Sequence, residues 1–238
     1  MRKIASLSCI EVTQSLGGSK KLNMAETSPL HVILFHGFGA DAYDLQSLAE
    51  AMKAPTNESV WLFPQGILQV PIGPGWTGRA WWPINMARLE AAARTGDYDL
   101  AAERPEGIDS LRKRVDEMIA ELKVPWSRIV LGGFSQGGML ATDTFLRAPE
   151  QPAGLMVLSG ALINKTEWKP LAEKRAGAPF FLSHGRSDLV LPYRTASQLE
   201  SLLTSSGLKG SLFSFEGGHE IPWNVIEKAN AWLKTLPL

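Results

Sequence analysis

The chain has 238 residues, of which 45% are hydrophobic, and this is enough to bury a substantial core in one domain. Its 24 Lys and Arg residues balance 24 Asp and Glu residues, so the formal net charge is zero and no basic surface suggests a nucleic-acid partner. No apolar run approaches the roughly 20 residues that a membrane-spanning helix needs. We therefore expect one domain over residues 1–238, with no integral membrane association.

The compartment is predicted from the amino terminus and the cysteine count. The basic start at 1–9 has an apolar stretch that is too short and too polar for a signal-peptide core, so it is interpreted as mature chain. A single cysteine, Cys9, cannot form an internal disulfide, and nothing therefore requires an oxidising compartment. A cytoplasmic location is the default expectation.

Strand and helix candidates alternate along the chain, which predicts an α/β fold with a mostly parallel sheet covered by helices on both faces. The first half contains an opening strand or hairpin at 9–13, a polar connector at 17–28, a strand at 31–35, a helix at about 43–52 and a strand at 60–63. Residues 64–105 are rich in Gly, Pro and Trp and are expected to form a long irregular region. Loops of that length are often lids or binding loops.

The second half continues the alternation. Its predicted elements are a helix at about 107–123, a strand at 128–132, a helix at 138–147, strands at 154–158 and 179–183, a helix near 194–205, a strand at 211–215 and a closing helix at 222–234. Every candidate site residue named below lies on a loop that follows one of these strands.

The segment Gly133-Phe134-Ser135-Gln136-Gly137 lies between a strand candidate and a helix candidate. A Gly-x-Ser-x-Gly turn in that setting is typical of a nucleophile elbow, which exposes the serine hydroxyl to a substrate. Glycine is needed two residues before and after the serine because a side chain there would collide with neighbouring backbone. Ser135 is thus the candidate nucleophile, and the alternative is a turn serine that caps the following helix.

A nucleophilic serine needs a base and an acid that orients the base, in the order serine, acid, histidine. Asp188 follows the strand at 179–183, and His219 follows the strand at 211–215. The carboxyl ends of parallel strands share one edge of the sheet, so we expect both residues to meet Ser135 in one crevice. Taken singly, Asp188 could be a turn residue or a cap for the helix near 194–203, and His219 could be an exposed loop histidine.

Two other histidines, His36 and His184, also lie at strand ends in this region. Position alone excludes neither of them. His219 is preferred as the base because it follows the acid and because the glycines beside it let its loop approach the serine.

Acyl transfer also needs backbone donors for the oxyanion. The N–H of Gln136, directly after the nucleophile, is the expected first donor, and the N–H of Phe38 in the loop 36–39 is the expected second. The glycines of that loop could turn an amide inward. An ordinary strand-to-helix turn capped by Asp41 is compatible with the same residues.

Three blocks, 34–41, 128–138 and 184–192, resemble the phospholipase/carboxylesterase family of α/β-hydrolases, which includes the acyl-protein thioesterases. The resemblance covers roughly residues 30–235, and its Gly-Phe-Ser-Gln-Gly-Gly block is much more specific than a bare elbow. It implies an α/β-hydrolase fold and a cofactor-free esterase with Ser135, Asp188 and His219 as the triad and the amides of Phe38 and Gln136 as the oxyanion hole. Family members often have leucine in place of Phe38, and segment 73–83 differs from the matching loop of the protein thioesterases.

Segment 73–83 carries tryptophans that we expect near the substrate. Trp81 and Trp82 could form an apolar wall over the acyl or alcohol group, and Arg79 could meet a carboxylate or phosphate. Leu191, just after the acid, could add apolar lining. Anchoring of the loop to the core, or packing of Leu191 within it, would explain the same residues.

We therefore expect a serine carboxylesterase that acts on a small-molecule or lipid-like ester, including a thioester or a lysophospholipid. No metal is expected, because no cluster of histidines and carboxylates has ligand spacing. Two alternatives stay open: a peptidase or amide hydrolase on the same fold, and a hydrolase-fold binding protein without turnover. The sequence does not specify the acyl-chain length or the oligomeric state.

Overall fold

The structure, a computed structural model, describes residues 1–15, 28–56, 58–84 and 99–238. The strands in these ranges are β1 (Arg2–Ile4), β2 (Leu7–Ser15), β3 (Leu30–Phe35), β4 (Glu58–Pro64), β5 (Leu68–Gly73), β6 (Trp76–Ala80), β7 (Ile129–Phe134), β8 (Gly154–Leu158), β9 (Pro179–Gly185) and β10 (Lys209–Phe215). The α-helices are α1 (Leu48–Ala51), α2 (Ile108–Leu122), α3 (Gln136–Arg147), α4 (Lys165–Glu173), α5 (Tyr193–Ser205) and α6 (Trp223–Leu233). Short 3-10 turns occupy Leu100–Ala102 and Trp126–Arg128.

The central sheet has eight strands in the order β1-β2-β4-β3-β7-β8-β9-β10. Six neighbouring strands of this sheet run parallel to one another: β4, β3, β7, β8, β9 and β10. Strands β1 and β2 extend one side of the sheet in antiparallel orientation. Strands β5 and β6 form a separate antiparallel hairpin. Because the parallel strands share a direction, the loops that follow β3, β7, β9 and β10 emerge at one edge of the sheet.

The central strands β3, β7, β8 and β9 are buried on both faces of the sheet, and alternate residues along them belong to different cores. On β7, Ile129 and Leu131 pack with α2, α3, α4 and α5, whereas Val130 packs with α1 and α6. Strand β3 shows the same alternation, with Ile33 on the first face and Val32 on the second. The predicted mostly parallel sheet with helices on both faces is confirmed.

Most predicted strands and helices are confirmed, with ends that differ by a few residues. The helix predicted over 43–52 is shorter: residues 42–47 form turns, and only α1 is α-helical. Helix α4 was not predicted, because Pro170 lies inside it and proline removes a backbone donor from a helix interior. Trp168 and Ala172 on its buried side nevertheless hold α4 to the core.

The region 64–105 is not irregular throughout, because it contains the β5–β6 hairpin. Its residues 85–98, and residues 17–27 of the predicted connector, lie outside the described residues. In the part of the chain that the structure describes, no helix is long and apolar enough to cross a bilayer. The single-domain organisation of residues 1–238 stays a prediction.

Cys9 lies on β2 and is completely buried. Its Sγ lies 3.6 Å from the Sδ of Met118 on α2, so the thiol is packed in the core between the sheet and that helix. Burial raises the pKa of Cys9 to about 12. The side chain is therefore a protonated thiol at neutral pH, and such a thiol is a poor nucleophile.

A buried ion pair joins the helices on one side of the sheet. The guanidinium of Arg112 on α2 makes two hydrogen bonds of 2.8 and 2.7 Å to the carboxylate of Asp143 on α3. The indole N–H of Trp168 on α4 donates to the same carboxylate at 2.9 Å. Three helices thus meet at Asp143, whose charge is paired and whose oxygens accept three hydrogen bonds.

Removing this carboxylate should be costly because it leaves the buried Arg112 with only the more exposed carboxylates of Asp109 and Glu167 as partners, and it takes the acceptor from the Trp168 indole. We expect Asp143→Ala to lower the free energy of unfolding by about 3–5 kcal/mol, as measured by urea denaturation. Asp109 also pairs with Arg112 but is 66% exposed, so Asp109→Ala should cost at most about 1 kcal/mol. Equal losses in the two variants would contradict this interpretation.

Candidate active site

Ser135 is the residue that connects β7 to α3, and its backbone is strained. Its φ of 53° and ψ of −120° lie in a region that residues other than glycine rarely adopt. The amide of Ser135 donates to the carbonyl of Leu158 on β8 at 2.9 Å, which fixes the turn to the neighbouring strand. The sharp turn leaves the serine partly exposed beyond the edge of the sheet.

The two glycines of this turn are required by close backbone contacts. A Cβ at Gly137 would overlap the carbonyl oxygen of Phe35 at the end of β3. A Cβ at Gly133 would lie 2.5 Å from the carbonyl of Gly137. Helix α3 can therefore start directly against the end of β3 only because these positions have no side chain.

Asp188 and His219, which lie on the loops after β9 and β10, are in direct contact. His219 Nδ1 lies 2.7 Å from Asp188 Oδ2. An ionised carboxylate can only accept, so Nδ1 carries the hydrogen and a neutral His219 has its lone pair on Nε2. The other oxygen of Asp188 accepts from the backbone amides of Val190 and Leu191 at 2.8 and 2.9 Å.

A second histidine, His184 at the end of β9, also faces Asp188. Its Nε2 lies 3.2 Å from Asp188 Oδ2 and 2.7 Å from the carbonyl oxygen of Leu191. Nε2 must therefore carry a hydrogen that it donates to these two acceptors. From the sequence His184 is only a rival base, although its position four residues before Asp188 is a usable signal of this contact.

These contacts determine the charge of Asp188. Burial opposes its ionisation, since the side chain is fully enclosed, but the hydrogen bonds from His184 and His219 outweigh that effect. Together with the backbone donor Leu191 they hold the pKa of the Asp188 carboxyl well below its usual range. Asp188 is thus a carboxylate at neutral pH.

A cavity of about 600 Å³ brings the predicted residues together. Ser135, His219, Phe38 and Gln136 all contribute to its wall. Its apolar lining includes Trp82, Pro83, Ile84, Leu100, Met139, Ile163 and Leu191. Charged residues also line it, among them Asp44, Glu103, Arg104 and Glu106.

Of the four residues expected to bind substrate, Trp82 and Leu191 line this cavity, whereas Trp81 and Arg79 do not. Trp81 is buried, and its indole N–H donates to the carbonyl of His36 at 2.8 Å. Arg79 lies on β6, where its backbone is bonded to the loop after β3. Both tryptophans are thus buried in the core, but only Trp82 reaches the cavity wall.

His36, the other rival base, has both ring nitrogens engaged. Its Nε2 accepts from the amide of Gly66 at 2.9 Å, so Nδ1 carries the hydrogen and donates to the carbonyl of Gly37 at 2.7 Å. Burial lowers the pKa of His36, which keeps the ring neutral. His36 therefore holds the loop that carries Phe38, and it does not line the cavity.

The chain is similar to several known proteins. The crystal structure of esterase PE8 matches with a TM-score of 0.73 at 24% identity, covering 97% of this chain and 99% of that one. An acyl-protein thioesterase 1 of Eremothecium gossypii is 33% identical over 228 residues, which are 89% of this chain and 94% of that protein. An acyl-protein thioesterase 1 of Cryptococcus neoformans is 27% identical over 196 residues, or 79% of each chain.

The model of the phospholipase/carboxylesterase family matches residues 23–237, almost the whole chain. The structural match supports the α/β-hydrolase fold, and the sequence relatives are named as thioesterases. The chain therefore belongs to the phospholipase/carboxylesterase family of α/β-hydrolases and is a serine hydrolase of the carboxylesterase type.

Proposed function

We propose that the protein hydrolyses carboxylic esters through a triad of Ser135, His219 and Asp188 and a covalent acyl-enzyme. One observation carries the proposal: a strained serine turn and a histidine bonded to a buried carboxylate share the wall of one cavity. This is the constellation of nucleophile, base and orienting acid that acyl transfer needs.

In the first step, His219 Nε2 takes the proton of the Ser135 hydroxyl as its oxygen attacks the carbonyl carbon of the ester. Asp188 keeps the hydrogen on Nδ1 and stabilises the imidazolium that forms. The imidazolium then protonates the leaving alcohol or thiol as the acyl–oxygen or acyl–sulfur bond breaks. Water, deprotonated by His219, attacks the acyl-enzyme and releases the carboxylic acid and Ser135.

The negative charge on the tetrahedral intermediate needs preorganised donors, and we propose the backbone N–H groups of Phe38 and Gln136 for this role. Both residues line the cavity beside Ser135. Gln136 is the first residue of α3, where the helix dipole also favours a developing anion. Loss of one such donor typically reduces kcat by roughly 10²–10³.

The cavity and the relatives both support the proposed substrate class. A volume of about 600 Å³ with a mostly apolar lining fits a hydrocarbon acyl group. Trp82 and Leu191 are proposed as parts of the acyl wall. Because the relatives are named acyl-protein thioesterases, we include thioesters with oxygen esters as proposed substrates.

The first test is hydrolysis of p-nitrophenyl esters from acetate to palmitate, with a chelator present. We expect turnover with a preferred chain length, because a cavity of finite depth favours acyl groups that fill it. Ser135→Ala should lower kcat by about 10⁶ while leaving the unfolding midpoint close to that of the wild type.

Retained turnover in Ser135→Ala would refute the triad. Faster cleavage of aminoacyl amides than of esters would favour a peptidase. A folded wild type with no ester turnover and no fluorophosphonate labelling would favour a binding protein.

A second test addresses the acid. Asp188→Asn keeps the size of the side chain but can donate to Nδ1, so it favours the wrong tautomer of His219. We expect kcat to fall by about 10⁴. Asp44→Asn is the matched control, because Asp44 lines the same cavity without a bond to His219, and it should change kcat little. Similar losses in both variants would indicate a general effect of charge instead of orientation of the base.

A further inference from the structure

The side chain of Gln136 makes two hydrogen bonds that the proposed mechanism does not use. It is buried, with 1% of the residue exposed. Its Oε1 accepts from the backbone N–H of Trp81 at 3.0 Å, and its Nε2 donates to the carbonyl of Trp82 at 2.9 Å. The side-chain amide is thus hydrogen-bonded to the backbone of two successive residues just beyond β6. A buried amide satisfied in this way fixes the distance between the elements that it joins.

The same stretch of chain is bonded to the loop after β3, which carries Phe38. The indole of Trp81 donates to the carbonyl of His36 at 2.8 Å, and its ring packs edge-on against Phe35. On β6, Arg79 donates its N–H to the carbonyl of Ala40 at 2.7 Å and accepts from Gly39 at 2.8 Å. The loop around Phe38 is therefore bonded on both sides of that residue to the segment that Gln136 holds.

We propose that the Gln136 side chain is a positioning residue that holds the two oxyanion donors in register. Its own backbone supplies one donor, and through Trp81 and β6 its side chain holds the loop that supplies the other. The inference rests on the proposed function, because it assigns these amides to the oxyanion. Donors must lie within about 2.7–3.1 Å of the oxyanion, so a small shift of either one weakens the stabilisation.

The pH dependence of kcat in Gln136→Glu tests this positioning role. A protonated glutamic acid can copy both bonds, with its carbonyl accepting from Trp81 and its hydroxyl donating to Trp82. An ionised one places an acceptor against the Trp82 carbonyl. Burial raises the pKa of a carboxyl, to about 8–9 in documented cases. We expect the kcat of this variant, divided by the wild-type kcat at the same pH, to be near 1 at about pH 6 and to fall as the pH rises. Division by the wild-type kcat removes any pH dependence that the two enzymes share.

Gln136→Met keeps a similar side-chain length without either bond, and it carries no charge. We expect its kcat to fall by about 10- to 100-fold at every pH with KM changed only a few-fold, less than the roughly 10²–10³ for loss of a donor itself. Gln69→Glu is the matched control: Gln69 is exposed on the same hairpin and bonds Thr77, whose hydroxyl can donate to the new carboxylate. Its kcat ratio should stay near 1 at all pH values.

Hydrogen exchange at the Trp81 amide gives a readout that needs no turnover. In Gln136→Met this amide loses its acceptor, so its exchange should speed up by about tenfold while the amides of β7 keep their wild-type rates. Unchanged exchange at Trp81, a kcat of Gln136→Met within threefold of the wild type, or a flat pH ratio for a folded Gln136→Glu would each overturn the proposal. An inactive wild type would overturn the proposed function instead, and the exchange result would still decide whether Gln136 holds the loop.

Discussion

Contact between the start of α3 and the end of β3 is the constraint on which the rest of the site depends. Gly137 lies so close to the Phe35 carbonyl that no side chain fits between them. The helix can therefore begin at once after Ser135, which takes up the turn in its own strained backbone. Because α3 begins so close to the end of β3, the loop around Phe38, which follows β3, lies at the same cavity as Gln136, the first residue of the helix. The cavity, the hairpin and the Gln136 bonds are arranged around this junction.

The loop after β9 combines support for the acid with a wall of the cavity. Leu191 donates its N–H to Asp188, accepts at its carbonyl from His184, and places its side chain at the cavity. The proposed acid and the proposed acyl wall are therefore parts of one bonded segment. A change in this loop that reshapes the cavity would also disturb the acid, which limits how freely substrate preference can vary at this position.

Local rules account for the parts that the sequence predicts well. The spacing of Gly133 and Gly137 about Ser135 predicts the turn, and strands ending before Asp188 and His219 place both at one sheet edge. Other features depend on tertiary contacts. The proline at 170 argues against a helix in the sequence pattern, and α4 is nevertheless stable because Trp168 is buried. Which of Trp81 and Trp82 faces the cavity depends on how the hairpin docks, and no local pattern specifies that. The double support of Asp188 requires both histidines to be placed in three dimensions.

The packing of Cys9 has a consequence for thiol chemistry at this enzyme. The chain contains one cysteine, and it is enclosed in the core with its pKa raised to about 12. Hydrolysis of a thioester would release a free thiol, which is commonly detected with a thiol-reactive dye, and an accessible protein thiol would react with the same dye. The buried, protonated Cys9 would not, so the folded enzyme would add no background to such an assay.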